Sequence, residues 1–219
     1  MRFEKLNINN LPYIGIFVSL GKKISIVPES ISKKEEDVLK DILDVECVKY
    51  NIANSHLNGA ISKIINGKIL LPKTSSEKDV DFLESIGLDV LVLNNYFAVG
   101  NLIATNQKEV LLSKEFDSKS VKKINEFLGL ECEILNLGNV SAIGSSIAVN
   151  KNGFAVNPVA SPKDIKKIEN IFGVKGNIAT INYGDGFIAN GLLVNDHGII
   201  VGKKTTGYEL IRINDIFYS

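Results

Sequence analysis

The sequence predicts a five-bladed α/β propeller, a pseudo-fivefold ring of strand-strand-helix-strand units. A glycine-led, β-rich segment recurs at intervals of 41–47 residues, and the recurring glycines are Gly15, Gly59, Gly100, Gly144 and Gly191. A helical pattern with its own start signal follows each segment. The last unit lacks a final strand, while the N-terminus has a spare one. A repeat with this period must be recognised before any motif, because it determines the whole fold.

Each glycine-led segment has the pattern of a β-hairpin. Two short apolar runs flank a polar turn, such as Asn66-Gly67 in the second segment and Asn152-Gly153 in the fourth. Asn-Gly pairs allow the positive φ values of tight turns that match the twist of paired strands. The first two strands of every unit are therefore predicted to be antiparallel neighbours.

A helix start follows each hairpin. Ser161, Pro162 and Asp164 supply an N-cap, a first-turn proline and a first-turn acid, and Ser32 with Glu35 forms a capping box. Equivalent starts are expected at Ser75 or Ser76, at Asp117 or Ser118, and before a last helix at 208–217. Further strands are expected after the first four helices, at 45–52, 88–93, 130–137 and 174–181.

The missing strand of the fifth unit is expected to come from the N-terminus. Residues 2–8 have a strand pattern, and pairing them with the fifth hairpin closes the ring without an exposed sheet edge. WD40 blades contain four strands and no helix, and armadillo and HEAT repeats are all helical, so one helix per unit excludes them. The remaining possibility is the pentein architecture. We expect one domain comprising 1–8 and repeats at about 9–52, 53–94, 95–138, 139–182 and 183–219.

The composition narrows the function classes. The chain of 219 residues has 25 Lys and Arg against 25 Asp and Glu, so no global positive field favours nucleic acid. It has no apolar run long enough to cross a bilayer and no signal peptide, so we expect a cytoplasmic protein without membrane contact. Cys47 and Cys132 lack partners at metal-ligand spacing, so neither a metal nor a cofactor is expected.

Three sequence segments resemble the archaeal type of the translation initiation factor 6 family. Residues 201–213 (VGKKTTGYELIRI) resemble its C-terminal signature, and 98–106 (AVGNLIATN) and 142–150 (AIGSSIAVN) resemble its third and fourth repeats. The resemblance spans the chain repeat for repeat. It implies a monomeric anti-association factor that binds the intersubunit face of the large ribosomal subunit and blocks the small subunit. It also implies a role in late maturation of the large subunit.

The same resemblance implies the partners. They are a ribosomal protein beside the sarcin-ricin loop, with local contact to ribosomal RNA, and a release GTPase with a helper protein. Fivefold pseudosymmetry places the segments that precede the repeat glycines on one face, where Phe97 adds an aromatic ring and where Asn101 matches a family asparagine. Mixed aromatic and amide groups are typical of interface cores. The candidate ribosome-binding residues are Tyr13, Gly15, His56, Asn58, Gly59, Tyr96, Gly100, Asn101, Gly144, Ser145, Tyr183, Phe187, Asn190 and Gly191.

Two other function classes remain as alternatives. Pentein-fold amidine hydrolases and transferases use a cysteine nucleophile with a histidine. Here Cys47 and Cys132 occupy equivalent repeat positions, and His56 shares its predicted face with no cysteine, so no catalytic residue is assigned. An RNA-binding module would need a basic stripe with exposed aromatic residues, and the balanced charge argues against one.

Overall fold

The computed structural model describes residues 2–218, which form five three-stranded sheets arranged around a common axis. In every sheet an inner strand pairs antiparallel with a middle strand, and an outer strand runs parallel to the middle one. In chain order the strands are β1 Arg2–Leu6, β2 Ser19–Leu20, β3 Ile24–Val27, β4 Glu46–Lys49, β5 Lys63–Ile65, β6 Lys68–Pro72, β7 Asp89–Leu93, β8 Ile103–Thr105, β9 Val110–Ser113, β10 Glu133–Leu135, β11 Ile147–Val149, β12 Phe154–Val156, β13 Gly176–Ile178, β14 Leu192–Val194 and β15 Gly198–Gly202.

Long helices on the outside alternate with short helical turns at the axis. The helices are α1 Ile14–Phe17, α2 Lys33–Leu43, α3 Asn58–Ile61, α4 Glu77–Ser85, α5 Ser118–Leu128, α6 Ile143–Ser146, α7 Pro162–Phe172, α8 Ile188–Gly191 and α9 Gly207–Phe217. Two 3-10 helices, Ile52–Asn54 and Val99–Leu102, complete the set among the described residues. The hairpin prediction was wrong at these short turns, because the chain makes one helical turn before each inner strand begins.

Side-chain caps fix the starts of the five long helices. Complete capping boxes join Ser32 to Glu35 and Ser161 to Asp164, as predicted. Of the alternative starts, the structure selects Ser76 for α4 and Asp117 for α5. Such caps satisfy the free N–H groups of the first turn, so these starts depend on local sequence alone.

The N-terminal strand closes the ring. Strand β1 pairs in parallel with β15, giving the order β1-β15-β14, so the fifth sheet combines the two ends of the chain. Helix α2 packs against both strands of this closure. In addition, Asn182 is buried and its Nδ2 donates to the carbonyl of Pro12 at 2.9 Å. The predicted five-bladed α/β propeller is confirmed.

The outer strands are shorter than predicted. Strand β1 ends at Leu6, because Ile8 pairs across a tight turn with Leu11, and Asn9 and Asn10 both have positive φ. The third strand of the third unit shrinks to three residues, Glu133–Leu135. The residues that were predicted to extend the C-terminal ends of these strands lie instead in loops that turn towards the axis. These loops form the candidate site.

Candidate binding face

Tight backbone packing around the axis explains the repeat glycines. A Cβ atom on Gly59 would lie less than 3 Å from the carbonyl oxygen of Gly15, and Gly100 and Gly144 each meet the preceding ring glycine in the same way. A Cβ atom on Gly15 would in turn lie less than 3 Å from the carbonyl oxygen of Ala189, so these five residues form a closed ring around the axis. Its fifth member is Ala189, whereas the sequence predicted Gly191. The first four ring residues must therefore be glycine because backbone approaches backbone. They have no room to contact a partner through a side chain.

Five inner loops, at residues 7–13, 50–57, 94–98, 136–142 and 180–187, connect outer strands to the short axial helices on one face of the ring. In a chain with 23% charged residues, these loops contain a single acid, Asp185, and no lysine or arginine. Charged side chains recur in the outer loops, which join middle strands to long helices, for example Lys73, Lys114 and Lys203. A centre with few charged groups inside a polar rim is the usual anatomy of a protein interface.

Exposed apolar side chains concentrate on this same face. The inner loops contribute six of them, including Phe97 at 57% exposure and Tyr183 at 84%, and the outer loop before α7 adds Val159. The seven residues in these loops are Leu11, Tyr13, Leu57, Phe97, Val159, Tyr183 and Phe187. Large exposed apolar groups that cluster, and are not scattered singly, mark a surface that another molecule covers.

Tyr183 has an unusual backbone conformation. Its φ is +72°, and it follows Asn182 at +52°. Left-handed backbone is disfavoured for a bulky residue. Most of the Tyr183 side chain is exposed, so packing of its ring offsets little of this cost. Strain of this kind is common at functional sites.

Capping acids hold three of the inner loops in place. Glu35 accepts from the N–H of Asn9 at 3.1 Å, Asp79 accepts from Ala53 at 3.2 Å, and Glu209 accepts from both Tyr183 and Gly184 at 3.1 and 2.8 Å. Each acid therefore caps its own helix and also accepts a hydrogen bond from a neighbouring loop. These bonds fix the shape of the three loops in the isolated protein.

Glu209 is the most heavily bonded of these acids. Besides the two loop N–H groups, it accepts from the N–H and hydroxyl of Thr206 and from the hydroxyl of Thr180. Burial raises the pKa of this carboxyl, but the hydrogen bonds outweigh burial, so its pKa lies below the ordinary 4.5. The carboxylate is thus charged at neutral pH and fixes the Tyr183 loop to α9.

Apart from Asn58, the structure separates the predicted site residues into three groups. Tyr13, His56, Tyr183 and Phe187 are exposed on the face, and Tyr96 is half-buried, with its hydroxyl bonded to Asp117. The ring glycines, together with Gly191, are packed into the fold. The third group lines a cavity along the axis, behind the ring, and it comprises Asn101, Ser145 and Asn190.

The prediction that Asn58 contacts a partner was wrong, and three exposed residues of the face were not predicted. Asn58 is completely buried, and its side chain bonds the N–H of Ile52 and the carbonyl of Tyr50, so it has a structural role. Sequence reasoning assigned no contact to Leu11, Leu57 or Val159, because exposed aliphatic residues look like core residues in a sequence. The signal that could have found them is their position in or beside loops without charges.

The two thiols are not activated for nucleophilic chemistry. Burial raises the pKa of Cys47, although the Ser25 hydroxyl at 3.4 Å opposes that shift, and burial raises the pKa of Cys132 to about 12. Cys47 faces Ser25 in the β3–β4 register, and Cys132 precedes β10 at the equivalent position. Across residues 2–218 no group of His, Cys, Asp and Glu side chains has the arrangement of a metal site. The longest helices there have 11 residues, and none could span a membrane.

Comparison with known sequences identifies the relatives. A family profile described as the eIF-6 family matches residues 3–216. Translation initiation factor 6 of Pyrococcus furiosus is 36% identical over 222 residues, covering 98% of both chains. That of Staphylothermus marinus is 34% identical over 219 residues, covering 97% of this chain and 96% of the relative.

Comparison with solved structures supports the fold. The N-terminal domain of ArgZ, covalently bound to a reaction intermediate, matches with a TM-score of 0.60 at 15% identity, covering 84% of this chain and 74% of that one. DDAH from Pseudomonas aeruginosa, in complex with citrulline, matches with a TM-score of 0.50 at 14% identity, covering 80% and 69%. At this level of identity the likeness concerns architecture alone.

Proposed function

Because the chain belongs to the eIF-6 family of translation initiation factors, we propose that it binds the intersubunit face of the large ribosomal subunit and sterically prevents association with the small subunit. The observation that carries this proposal is the face on which seven large apolar side chains are exposed and whose inner loops contain only one charged residue, Asp185. The same binding would let the protein act in late maturation of the large subunit. Removal would then require a release GTPase and a helper protein.

Steric occlusion needs only a surface that keeps its shape, and no chemical step. The glycine ring and the loop-holding acids provide one, since the inner loops are already bonded to the fold. A preorganised surface loses little conformational entropy on docking. The raised thiol pKa values favour a binding protein over an enzyme with a cysteine nucleophile.

The charge pattern favours a protein surface as the main contact. The inner loops contain no lysine or arginine, whereas binding dominated by phosphate groups needs several cations. We therefore propose that the face docks chiefly on a ribosomal protein near the sarcin-ricin loop, with RNA contacts limited to the rim. Binding should then depend only weakly on salt, and a steep decrease with salt would indicate RNA as the dominant contact.

Subunit joining provides the direct test. Purified large and small subunits should form fewer joined ribosomes when the protein is present in excess, as measured by sedimentation. The protein should co-sediment with free large subunits and be missing from joined ribosomes. Unchanged joining at saturating protein would contradict the proposal.

Replacing Tyr183 with alanine should weaken binding to the large subunit at least tenfold and leave the stability of the fold unchanged. The ring is 84% exposed, so its removal leaves no cavity, but central interface tyrosines often contribute more than 1 kcal/mol. Quantitative co-sedimentation measures the affinity, and thermal unfolding measures the stability.

Phe3→Ala is the matched control for this variant. Phe3 is also an exposed aromatic residue, but it lies at the start of β1 beside Ile199, far from the inner loops. Its replacement should leave the affinity unchanged. Equal affinities for wild type and Tyr183→Ala, or an equal loss in both variants, would remove the assigned face.

A further inference from the structure

A cavity of about 420 Å³ lies along the axis, enclosed by the inner strands of the five sheets. It extends from the ring of Gly15, Gly59, Gly100, Gly144 and Ala189 to the turns of the five hairpins. The hairpin turns lie at the end of the fold opposite the inner loops. Its size falls within the range of about 300–1,000 Å³ that is typical of small-molecule sites.

The lining of the cavity is strongly basic in a chain with no net charge. Its charged residues are four lysines, Lys22, Lys63, Lys68 and Lys108, and one acid, Asp196. The Lys68 ammonium already donates to the carbonyl of Phe127 at 2.5 Å, and Asp196 accepts from the N–H of Lys151 at 3.0 Å. Lys22, Lys108 and Asp196 are exposed at the hairpin turns, whereas Lys63 and Lys68 are half-buried. An excess of positive charge along a cavity and its mouth attracts anions.

Lys63 is the central feature of this lining. No hydrogen bond or ion pair joins its side chain to another residue in the described part of the chain. Lys63 is half-buried, and burial lowers its pKa to about 8, because no counter-ion offsets the partial loss of water around the ammonium. An anion that entered the cavity would supply the missing partner.

The repeat shows that packing does not require a lysine here. Lys63 is the second residue after its short helix, and the equivalent residues in the other four units are Ser19, Ala104, Ala148 and Leu193. Small or apolar side chains therefore suffice at this position of the inner strand. Packing at this position therefore does not explain the Lys63 ammonium, which lines the cavity.

Neutral polar groups complete a binding site. Ser19 lines the cavity, and its hydroxyl is buried with no hydrogen-bond partner in the described chain. Ser145, also buried, and the half-buried Asn101 and Asn190 line the cavity, and none of these side chains bonds another described residue. The buried Ser19 hydroxyl is costly unless a ligand or water satisfies it, and the other three side chains are free to bind the same ligand.

The geometry points to the axial cavity as a binding site for a small oxyanion ligand, in which Lys63 holds a phosphate or carboxylate group and the serine and asparagine side chains bind its remaining oxygens. A charge-assisted bond from an ammonium to an oxyanion is about twice as strong as a neutral one. Because the cavity reaches the hairpin turns and not the inner loops, the ligand can bind without competing for the docking face.

Isothermal titration calorimetry of the full chain at pH 7, with inorganic phosphate, pyrophosphate and citrate as separate probes, tests this site. We expect saturable binding of at least one probe. A preference for pyrophosphate identifies phosphate esters as the ligand class, and a preference for citrate identifies carboxylates. Absence of saturable binding for all three probes would overturn the inference.

Lys63→Met should weaken the binding at least tenfold, because it removes the charge and keeps the length of the side chain. Lys63→Ser should have the same effect. It introduces the residue found at the equivalent position 19, so it provides a second test if Lys63→Met misfolds. Lys163→Met is the control, since Lys163 is exposed on α7 and lies outside the cavity lining. Wild-type affinity in both Lys63 variants, or an equal loss in the control, would contradict the assignment.

A direct readout comes from NMR titration of the Lys63 side chain. A bound anion should raise the pKa of Lys63 above about 8. The other titratable groups of the lining are Lys22, Lys68, Lys108, Asp196 and His197, and the last pairs with Asp44 at 3.7 Å. An unchanged Lys63 titration at saturating probe would exclude contact with the ligand.

Discussion

Gly59→Ala should lower the free energy of unfolding by about 3 kcal/mol, at the upper end of the range for overpacked cores. The new methyl group would lie less than 3 Å from the carbonyl oxygens of Gly15 and Val18, and neither can rotate away as a side chain would. Relief requires two neighbouring units to separate along the axis. Chemical denaturation with an unchanged m-value measures the loss.

Gly207→Ala is the control for this prediction. Gly207 begins α9, no other atom lies within 4 Å of the position that a methyl group would take there, and its backbone suits any residue. Alanine there should be neutral or stabilising, because it favours the helix. Ala189 shows that the ring accepts one methyl group at its fifth position. A loss below about 0.5 kcal/mol in Gly59→Ala would mean that the ring can widen at a second position.

Glu209→Ala should lower the free energy of unfolding by about 3 kcal/mol and also weaken binding to the large subunit. The change leaves five donor groups, from Thr180, Tyr183, Gly184 and Thr206, without their acceptor. Bonds to a charged acceptor contribute about 1.5–3 kcal/mol each, and only part of that is lost where water replaces the carboxylate. The released Tyr183 loop accounts for the loss of binding.

Asp164→Ala is the control variant, because it removes a helix cap without removing a bond to an inner loop. Asp164 forms the same capping box in α7, but its bonds go only to Ser161. Its replacement should cost about 1 kcal/mol, the usual value for a lost cap, and should not affect binding. Equal losses of stability in the two variants would show that the Tyr183 loop gains nothing from Glu209.

The contribution of the Glu209 carboxylate to the free energy of unfolding should also depend on pH. Its pKa in the folded protein lies below the ordinary 4.5, so folding favours the charged form. This stabilisation is fully present above about pH 5 and decreases as the pH falls through the folded pKa. The difference in stability between wild type and Glu209→Gln should therefore shrink in acid. A difference that stays constant down to about pH 3 would contradict the assignment.

Most of the architecture could be predicted from the sequence, because its signals are local or periodic. Ser32 and Ser161 mark helix starts through bonds to residues three positions away, which a sequence displays directly. The 41–47-residue period indicated the number of units, and the imbalance between the two ends of the chain predicted that β1 completes the fifth sheet.

The site could be predicted only in outline. Pseudosymmetry predicted that the five inner loops share one face, as they do, but which residues are exposed on that face depended on which side chains point outward. Asn58 and Tyr183 are both polar loop residues in the sequence, yet one is completely buried and the other is 84% exposed. The shift that makes Ala189 the fifth ring member was equally invisible, because Gly191 matched the glycine pattern better.

The sequence by itself determined the five-unit ring, its closure by the N-terminal strand and the caps of its long helices, since each depends on residues near in sequence or on a regular repeat. Only the tertiary structure decided which side chains of the inner loops are exposed, which line the axial cavity, and that Glu209 holds the Tyr183 loop from 26 residues away. Those outcomes depend on how neighbouring units pack, and packing brings together residues whose proximity leaves no local pattern in the sequence.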